Sequence, residues 1–224
     1  MDSNRKIWNE QQQALRQALR KPADHQRAVE LFLDQHAMVH TARLSAAGLW
    51  SFADEVWQGL DETAARQVPP RMEHSIAWII FHLARIEDVT MNLLLAGNLQ
   101  VFLAENWMGR LGISIRHTAN RMDEQAVSDF SAQVDVAALR AYRLAVGQRT
   151  REIISQVAPD ALSQKVQAER LQRLLDEGAL IEAAHGLLDY WGGLTGAGLL
   201  LMPPTRHNFV HLNEALRIKN KLIG

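Results

Sequence analysis

The chain has 224 residues, of which 47% are hydrophobic and 22% charged, and its formal net charge at pH 7 is −1. This length and composition suffice for a substantial hydrophobic core in one domain. The balanced charge, without a dominant run of Lys and Arg, argues against nucleic acid as a partner. The sequence contains no cysteine, which excludes disulfides, thiolate metal sites and a cysteine nucleophile, so any metal must bind to His, Asp or Glu.

Apolar side chains recur at helical spacing along most of the chain, and no segment shows the period-two alternation of a strand, so the predicted fold class is all-α. The predicted helical segments are residues 4–20, 24–43, 45–60, 75–97, 136–157, 167–178 and the C-terminal stretch capped by Thr205. The first helix ends before Pro22, since the residue preceding a proline leaves the α region. Residues 1–23 are interpreted as an accessory N-terminal helix, and residues 24–224 as the main helical bundle.

Less regular regions lie within and between these segments. The third segment contains a break near Ala47 and Gly48, and residues 67–71, with two prolines, form a connection. Residues 98–133 have mixed spacing and are predicted to form loops and short helices. Residues 179–202 are apolar but rich in glycine, so both a packed helix and an extended loop remain open there.

Hydropathy gives no sign of a membrane or export segment. The N-terminus lacks the apolar core of a signal peptide, and the most apolar later run, residues 191–202, is too short to span a bilayer. We therefore expect a cytoplasmic protein with no membrane partner.

The most apolar helix follows Ser75, its predicted N-cap. The run 76–81 is apolar on every side, which indicates a buried helix. His82 falls on the core-facing stripe of this helix, whereas Glu87 and Asp88 lie off it. A polar side chain in the core needs a partner, which singles out His82 as a candidate ligand.

A His-x-x-x-His pattern occurs twice, at His36/His40 and at His207/His211. Residues four apart share a helix face with Cβ atoms about 5–6 Å apart, so both rings can reach one metal ion. Such a pair is half of a metal site, and His82 is the candidate third ligand. The alternative is that these are core histidines with satisfied hydrogen bonds. The surroundings of the first pair are less apolar, so we expect His36 to lie outside the site.

Other catalytic patterns are missing from the sequence. Zinc proteases of the His-Glu-x-x-His kind need Glu after the first His, where this chain has Asn208. Di-iron bundles need a Glu-x-x-His motif from each of two helices, and here only Glu182 to His185 fits. There is neither a Gly-x-Ser-x-Gly elbow nor a phosphate-binding loop.

Several stretches, in this order and spacing, resemble the DinB/YfiT-like superfamily. They are Ser75-Ile76-Ala77-Trp78 with His82 to Asp88, Leu139 to Tyr142 with Arg149 to Glu152, and Arg206-His207 with His211 to Glu214. The resemblance extends from Leu31 to the C-terminus. It implies an up-down-down-up four-helix bundle, often a homodimer, with one divalent metal held by three histidines. These histidines map onto His82, His207 and His211.

Relatives of this kind include thiol-dependent transferases and isomerases that use glutathione, mycothiol or bacillithiol, and the iron-binding domain of an enzyme of thiohistidine biosynthesis. This chain departs from the compact pattern by its N-terminal helix and by long segments at 98–133 and 165–202. These segments would shape the pocket, so the resemblance does not give the substrate.

The leading hypothesis is a metal-dependent enzyme acting on a small molecule, with three neutral imidazoles and an open coordination position. Zn, Ni and Fe all accept imidazole, and a low-molecular-weight thiol would be a second cofactor. Glu214 could orient a ligand or accept a proton, or it could form only a salt bridge at the rim. His40 could line the cavity, and Arg85 could hold a substrate carboxylate or pair with a neighbouring acid. The alternatives are a non-enzymatic regulatory module that binds a metal or small molecule, and a purely structural bundle.

Overall fold

The computed structural model describes residues 2–45, 48 and 50–223, and within them it contains helices and no strand. The all-α prediction is confirmed. An isolated bridge pairs Lys165 with Thr195. The α-helices are α1 (Ser3–Ala18), α2 (His25–Val39), α3 (Phe52–Trp57), α4 (Glu62–Arg66), α5 (Ile76–Glu87), α6 (Val101–Ala104), α7 (Trp107–Leu111), α8 (Glu124–Gln133), α9 (Val136–Gln156), α10 (Pro159–Ser163), α11 (Ala168–Asp176), α12 (Gly186–Gly192), α13 (Gly196–Leu201) and α14 (Asn208–Ile223).

Helix α5 is the central element of the fold. Ser75 caps it as predicted, because its hydroxyl accepts a hydrogen bond from the backbone N–H of Trp78 at 3.0 Å. Helices α4, α8, α9 and α14 all contact α5, and every one of its residues is buried. The helix continues as a π-helical segment, Asp88–Leu95, and the run ends at Gly97, whose φ is +72°. The predicted buried helix and its end are therefore confirmed.

Glu87 and Asp88 are fully buried, so the prediction that they lie off the core-facing stripe was wrong. The reason is that α5 is covered on all sides and has no outward face. Asp88 accepts hydrogen bonds from the backbone N–H groups of Val101 and Phe102, at 2.9 and 2.8 Å, and from the Tyr142 hydroxyl at 2.8 Å. The carboxylate thus satisfies the first N–H groups of α6, as an N-cap does.

The segment 45–60 is less helical than predicted. Among the described residues of this segment, α3 is the one α-helix, and Ser51 caps it, because its hydroxyl accepts from the N–H of Asp54 at 3.2 Å. Gly48 has a φ of +61°, which fits the predicted break, and Ala47 lies outside the described residues.

The two regions that the sequence left irregular contain short helices. Residues 98–133 hold α6, α7 and α8 joined by loops, as predicted. Residues 179–202 form neither one packed helix nor an extended loop, but α12 and α13 in succession. Thr195 caps α13, because its hydroxyl accepts from the N–H of Gly198 at 3.3 Å.

Thr205 does not cap the final helix, contrary to our prediction. A π-helical turn, Met202–His207, connects α13 to α14, so the chain is already helical at this residue. The Thr205 hydroxyl instead donates to the carbonyl oxygen of Leu200 at 2.8 Å. Two prolines fit in the first positions of the turn, where a backbone N–H has no helical partner in any case.

The N-terminal helix α1 packs against α2 and α13. Its Trp8 is completely buried and stacks on Phe209 of α14, with ring centroids 3.9 Å apart. Arg5 adds a 2.7 Å hydrogen bond to the side chain of Asn213. Helix α1 therefore braces the helix that carries the second His-x-x-x-His pair. In the described part of the chain, no helix has both the length and the apolar character needed to cross a membrane.

Candidate metal centre

His82, His207 and His211 meet at one point of the fold. His82 is on α5, His207 ends the π-helical turn, and His211 lies one turn further along α14. The ring centroids of His82 are 5.0 Å from His207 and 5.2 Å from His211, and the last two rings are 4.6 Å apart. One ring nitrogen from each histidine lies within 4.8 Å of the other two. This spacing is compatible with one ion at about 2 Å from each nitrogen.

Hydrogen bonds to the far side of two rings fix which nitrogen faces the centre. Nδ1 of His82 lies 2.7 Å from the carbonyl oxygen of Thr118, which can only accept, so Nδ1 carries the proton. Nδ1 of His211 donates in the same way to Oε2 of Glu214 at 2.9 Å. In the neutral rings this leaves a lone pair on Nε2, which is the arrangement that metal-binding histidines commonly show.

His207 completes the set from the other side. Its Nε2 lies 3.2 Å from Nε2 of His82, and its buried Nδ1 has no hydrogen-bond partner among the described residues. Because Nε2 of His82 carries a lone pair, the short contact requires either a proton on His207 or a cation between the two nitrogens. The three nitrogens therefore form a donor set suited to a metal ion.

The surroundings keep the imidazoles of His82 and His207 neutral. Burial lowers the pKa of His82 to about 3, against the opposing effect of the hydrogen bond that His82 donates to the Thr118 carbonyl. Burial also places the pKa of His207 well below its usual range, and the neighbouring His82 and His211 lower it further. A neutral ring is the form that binds a metal.

Glu214 is held as an anion beside the centre. Burial alone would raise its pKa, but hydrogen bonds from His211 and His74 lower it to about 2. Its second oxygen, Oε1, lies 2.9 Å from Nδ1 of His74. Glu214 therefore contacts both His211 and His74, and its role in orienting His211 stays a prediction.

Aromatic stacking fixes the wall of the centre. His74 stacks on Trp78 with centroids 3.8 Å apart, and Trp78 stacks on His82 at 5.0 Å. The centre opens towards His211, whose side chain is 22% exposed, whereas His82 is only 3% exposed. The accessible side of the centre is therefore the α14 side.

A second group of titratable side chains lies on the other side of α5. Glu87 accepts from Nε2 of His36 and from Nε2 of His40, both at 2.8 Å, and from the amide of Asn208 at 3.1 Å. All four residues are buried. Helix α9 can approach because residue 147 is glycine, where a Cβ would lie 2.7 Å from Nδ1 of His40. His36 lies in this group and not in the triad, as predicted, although its surroundings are buried.

Burial and contacts within this group shift the pKa values of Glu87 and His40. Burial alone would raise the pKa of Glu87, but the two imidazoles lower it well below its usual range. Burial lowers the pKa of His40 to about 3. The three residues also have ligand atoms within 4.8 Å of one another, but each faces a hydrogen-bond partner already.

The two residues considered for substrate binding both have partners within the protein. His40 bonds to Glu87, as described above. Arg85 is fully buried and donates to the carbonyl oxygen of Arg116, to Gln100 and to Tyr142. It also pairs with Asp88 at 3.3 Å, which is the structural alternative that the sequence left open. A substrate role for either residue stays a prediction.

Several contributors to the centre were not foreseen. The Thr118 carbonyl belongs to a loop, and every residue type carries a carbonyl, so no sequence signal marks it. His74 and Trp78 precede His82 by eight and four residues, and the four-residue spacing is a detectable stacking signal on α5. The second group, around Glu87, was not foreseen either. Glu87 lies on the same helix as His82 but accepts hydrogen bonds from His36 and His40, some fifty positions away in the sequence. Only the fold brings these residues together.

One comparison with known proteins gave a match. A sequence profile described as the DinB superfamily matches residues 47–209, which is more than half of the chain. The matched range contains His82 and His207 and ends two residues before His211. Comparison with curated proteins gave no match.

Proposed function

The chain belongs to the DinB superfamily, and from this premise we propose that His82, His207 and His211 bind one divalent metal ion. The observation that carries the proposal is the convergence of three ring nitrogens within 4.8 Å of one another. Thr118 and Glu214 support it, because they hold protons on the Nδ1 atoms of His82 and His211 and so present both Nε2 lone pairs to the centre.

The donor set restricts which metals fit. Three neutral imidazoles without a thiolate suit Zn, Ni or Fe, and the residues themselves do not choose among these. Three protein ligands leave at least one coordination position open, as in catalytic rather than structural zinc sites. The partial exposure of His211 supports the proposal that a small molecule reaches such a position.

We propose that the protein is a thiol-dependent S-transferase or isomerase acting on a small electrophile. A bound divalent ion would supply Lewis acidity, which lowers the pKa of a coordinated thiol or water. The chain has no cysteine, so the sulfur nucleophile would come from a low-molecular-weight thiol. The residues of the chain would orient the reactants and exclude water, with Trp78 and α5 as the rigid wall.

The direct test is an activity screen on metal-loaded protein. Glutathione, mycothiol, bacillithiol and coenzyme A would each be offered with generic electrophiles, with His82→Ala as the background. The proposal expects at least one thiol to react faster than this background and to change the visible spectrum of cobalt-substituted protein. If no thiol changes the spectrum and no rate exceeds that of His82→Ala, a non-enzymatic binding module replaces the enzyme.

The same family membership supports a proposal about the finer architecture. We propose that α2, α5 with its π-helical extension, α9 and α14 are the four helices of an up-down-down-up bundle, residues 24–224, to which residues 1–23 add an accessory helix. We further propose a cytoplasmic homodimer. Sedimentation of the metal-loaded protein at several concentrations tests the dimer, which a monomer mass throughout would exclude.

A further inference from the structure

The imidazole of His207 lacks the hydrogen bond that anchors the other two candidate ligands. Nδ1 of His82 donates to the Thr118 carbonyl at 2.7 Å. Nδ1 of His211 donates to Glu214 at 2.9 Å. Nδ1 of His207 has no such partner within the part of the chain that the structure describes. The position of this ring therefore depends on the backbone that carries it.

That backbone is held at the next residue, Asn208, which begins α14 and is completely buried. Its Nδ2 donates to Oε2 of Glu87 and to the carbonyl oxygen of Pro203, both at 3.1 Å. Its Oδ1 accepts from Nη2 of Arg143, on α9, at 2.9 Å. The side-chain amide thus uses both of its N–H groups and its oxygen.

The contacts of Asn208 join the start of α14 to the central helix. Glu87 belongs to α5, which also carries His82. Pro203 lies in the π-helical turn whose last residue is His207. The side chain of Asn208 therefore links the turn that presents one candidate ligand to the helix that presents another.

The surroundings of this side chain require a group that both donates and accepts. The carboxylate of Glu87 accepts only, and the guanidinium of Arg143 donates only, so an amide can bond to both. Zinc proteases of the His-Glu-x-x-His kind carry their general base at the position of Asn208. An amide that is buried and fully hydrogen-bonded cannot take that role, which leaves a role in holding the structure around it.

We propose that Asn208 is a positioning residue of the metal centre, which holds His207 at the distance from His82 that one shared ion requires. This inference rests on the proposed metal site. Asn208 acts through the backbone and would contact neither the ion nor a substrate. Its effect is on affinity and coordination geometry, because ligand atoms have to be held within about 0.5 Å of their productive positions.

Cobalt titration of chelator-treated protein tests the proposal with a matched pair of variants. Asn208→Ala removes the three contacts. Asn92→Ala removes another buried amide that donates to a buried carboxylate, Asp88, in the π-helical segment after α5. Asn208→Ala should bind Co²⁺ about tenfold or more weakly than wild type, and its visible spectrum at saturating cobalt should change. Asn92→Ala should match wild type in both measurements.

Denaturant unfolding of the metal-free variants separates positioning from stability. Each variant loses hydrogen bonds of a buried amide, so both should be less stable than wild type, whereas cobalt affinity and spectrum should change in Asn208→Ala alone. If Asn208→Ala does not fold, Asn208→Ser decides by the same measurements, since its shorter side chain cannot span Glu87 and Arg143.

Two results would overturn the inference while leaving the metal site in place. One is a wild-type cobalt affinity in the Asn208 variant, and the other is equal weakening in the Asn208 and Asn92 variants. Absence of cobalt binding to the wild-type protein would instead overturn the proposed metal site, and this inference with it.

Discussion

The imidazole of His82 is fixed from three directions. The Thr118 carbonyl holds its Nδ1, Trp78 stacks on its ring, and Nε2 points to His207 at 3.2 Å. His211 depends on fewer contacts, since its Nδ1 bonds to Glu214 and its side chain is partly exposed. We infer that His211 is the ligand whose orientation depends most on a single neighbour.

Glu214→Gln should therefore weaken metal binding by about 10- to 100-fold, the usual effect of losing a hydrogen-bond partner of a ligand. The glutamine amide accepts more weakly than the carboxylate. It also lacks the two anionic oxygens with which Glu214 accepts from His211 and from His74. Competition with a chromophoric chelator measures the affinity. Glu152→Gln, at an exposed pair with Arg149, is the matched control. Equal affinities for the two variants would show that Glu214 only forms a rim contact.

The three candidate ligands could be predicted because their signals are local. Helix periodicity predicts that the two rings of a His-x-x-x-His pair lie on one face. His82 stands out as a polar residue on an apolar helix. The Thr118 carbonyl could not be predicted, because its position depends on how the loop before α8 folds over α5. The grouping of His36 and His40 with Glu87 was also missed, since these contacts join residues about fifty positions apart on two different helices.

Helix α1 is joined to α14 by the stack of Trp8 on Phe209. Phe209 lies between His207 and His211 in the sequence, so α1 supports the helix that carries two of the three ligands. The N-terminal segment, which the sequence suggested to be accessory, therefore has a structural role next to these ligands.

Trp8→Ala should lower the free energy of unfolding by about 3–5 kcal/mol, the typical cost of removing a fully buried aromatic side chain. Chemical denaturation followed by far-UV circular dichroism measures this change. Ile7→Ala alters the neighbouring residue, which is 44% exposed, and should change stability by less than about 0.5 kcal/mol. If both variants unfold alike, α1 contributes little to the bundle.

Long helices were predictable where one apolar stripe or an all-apolar run continues for several turns, as in α5 and α9. The junction between α13 and α14 was not, because two prolines normally mark an interruption, and here a π-helical turn accommodates them. The prediction that Glu87 and Asp88 lie off the core-facing stripe was wrong for a related reason. Periodicity locates a polar stripe on a helix, but whether that stripe meets solvent depends on how many helices surround it.

The buried histidines make the stability of the whole molecule depend on pH. In the metal-free folded state, burial holds the pKa of His82 at about 3, while in the unfolded chain it is about 6.5. The unfolded state therefore binds more protons between these values. The contribution is fully present above about pH 6.5 and is lost as the pH falls towards 3.

Metal-free protein should lose about 2 kcal/mol of unfolding free energy per such histidine between about pH 7 and pH 5. Denaturant titrations across this range provide the measurement. His82→Gln removes one of these groups and should show a shallower pH dependence than wild type. A free energy of unfolding that stays constant or rises on acidification would contradict the neutral state of the buried rings.

The metal content of the purified protein tests the central claim most directly. Elemental analysis, followed by cobalt titration of chelator-treated protein, should give about one divalent ion per chain, as for a single site with three imidazole ligands. His82→Ala, His207→Ala and His211→Ala should each lose the ion, whereas His36→Ala, in the Glu87 group, should keep it. Absence of metal from wild-type protein, or its loss on His36→Ala with retention on His82→Ala, would contradict the account.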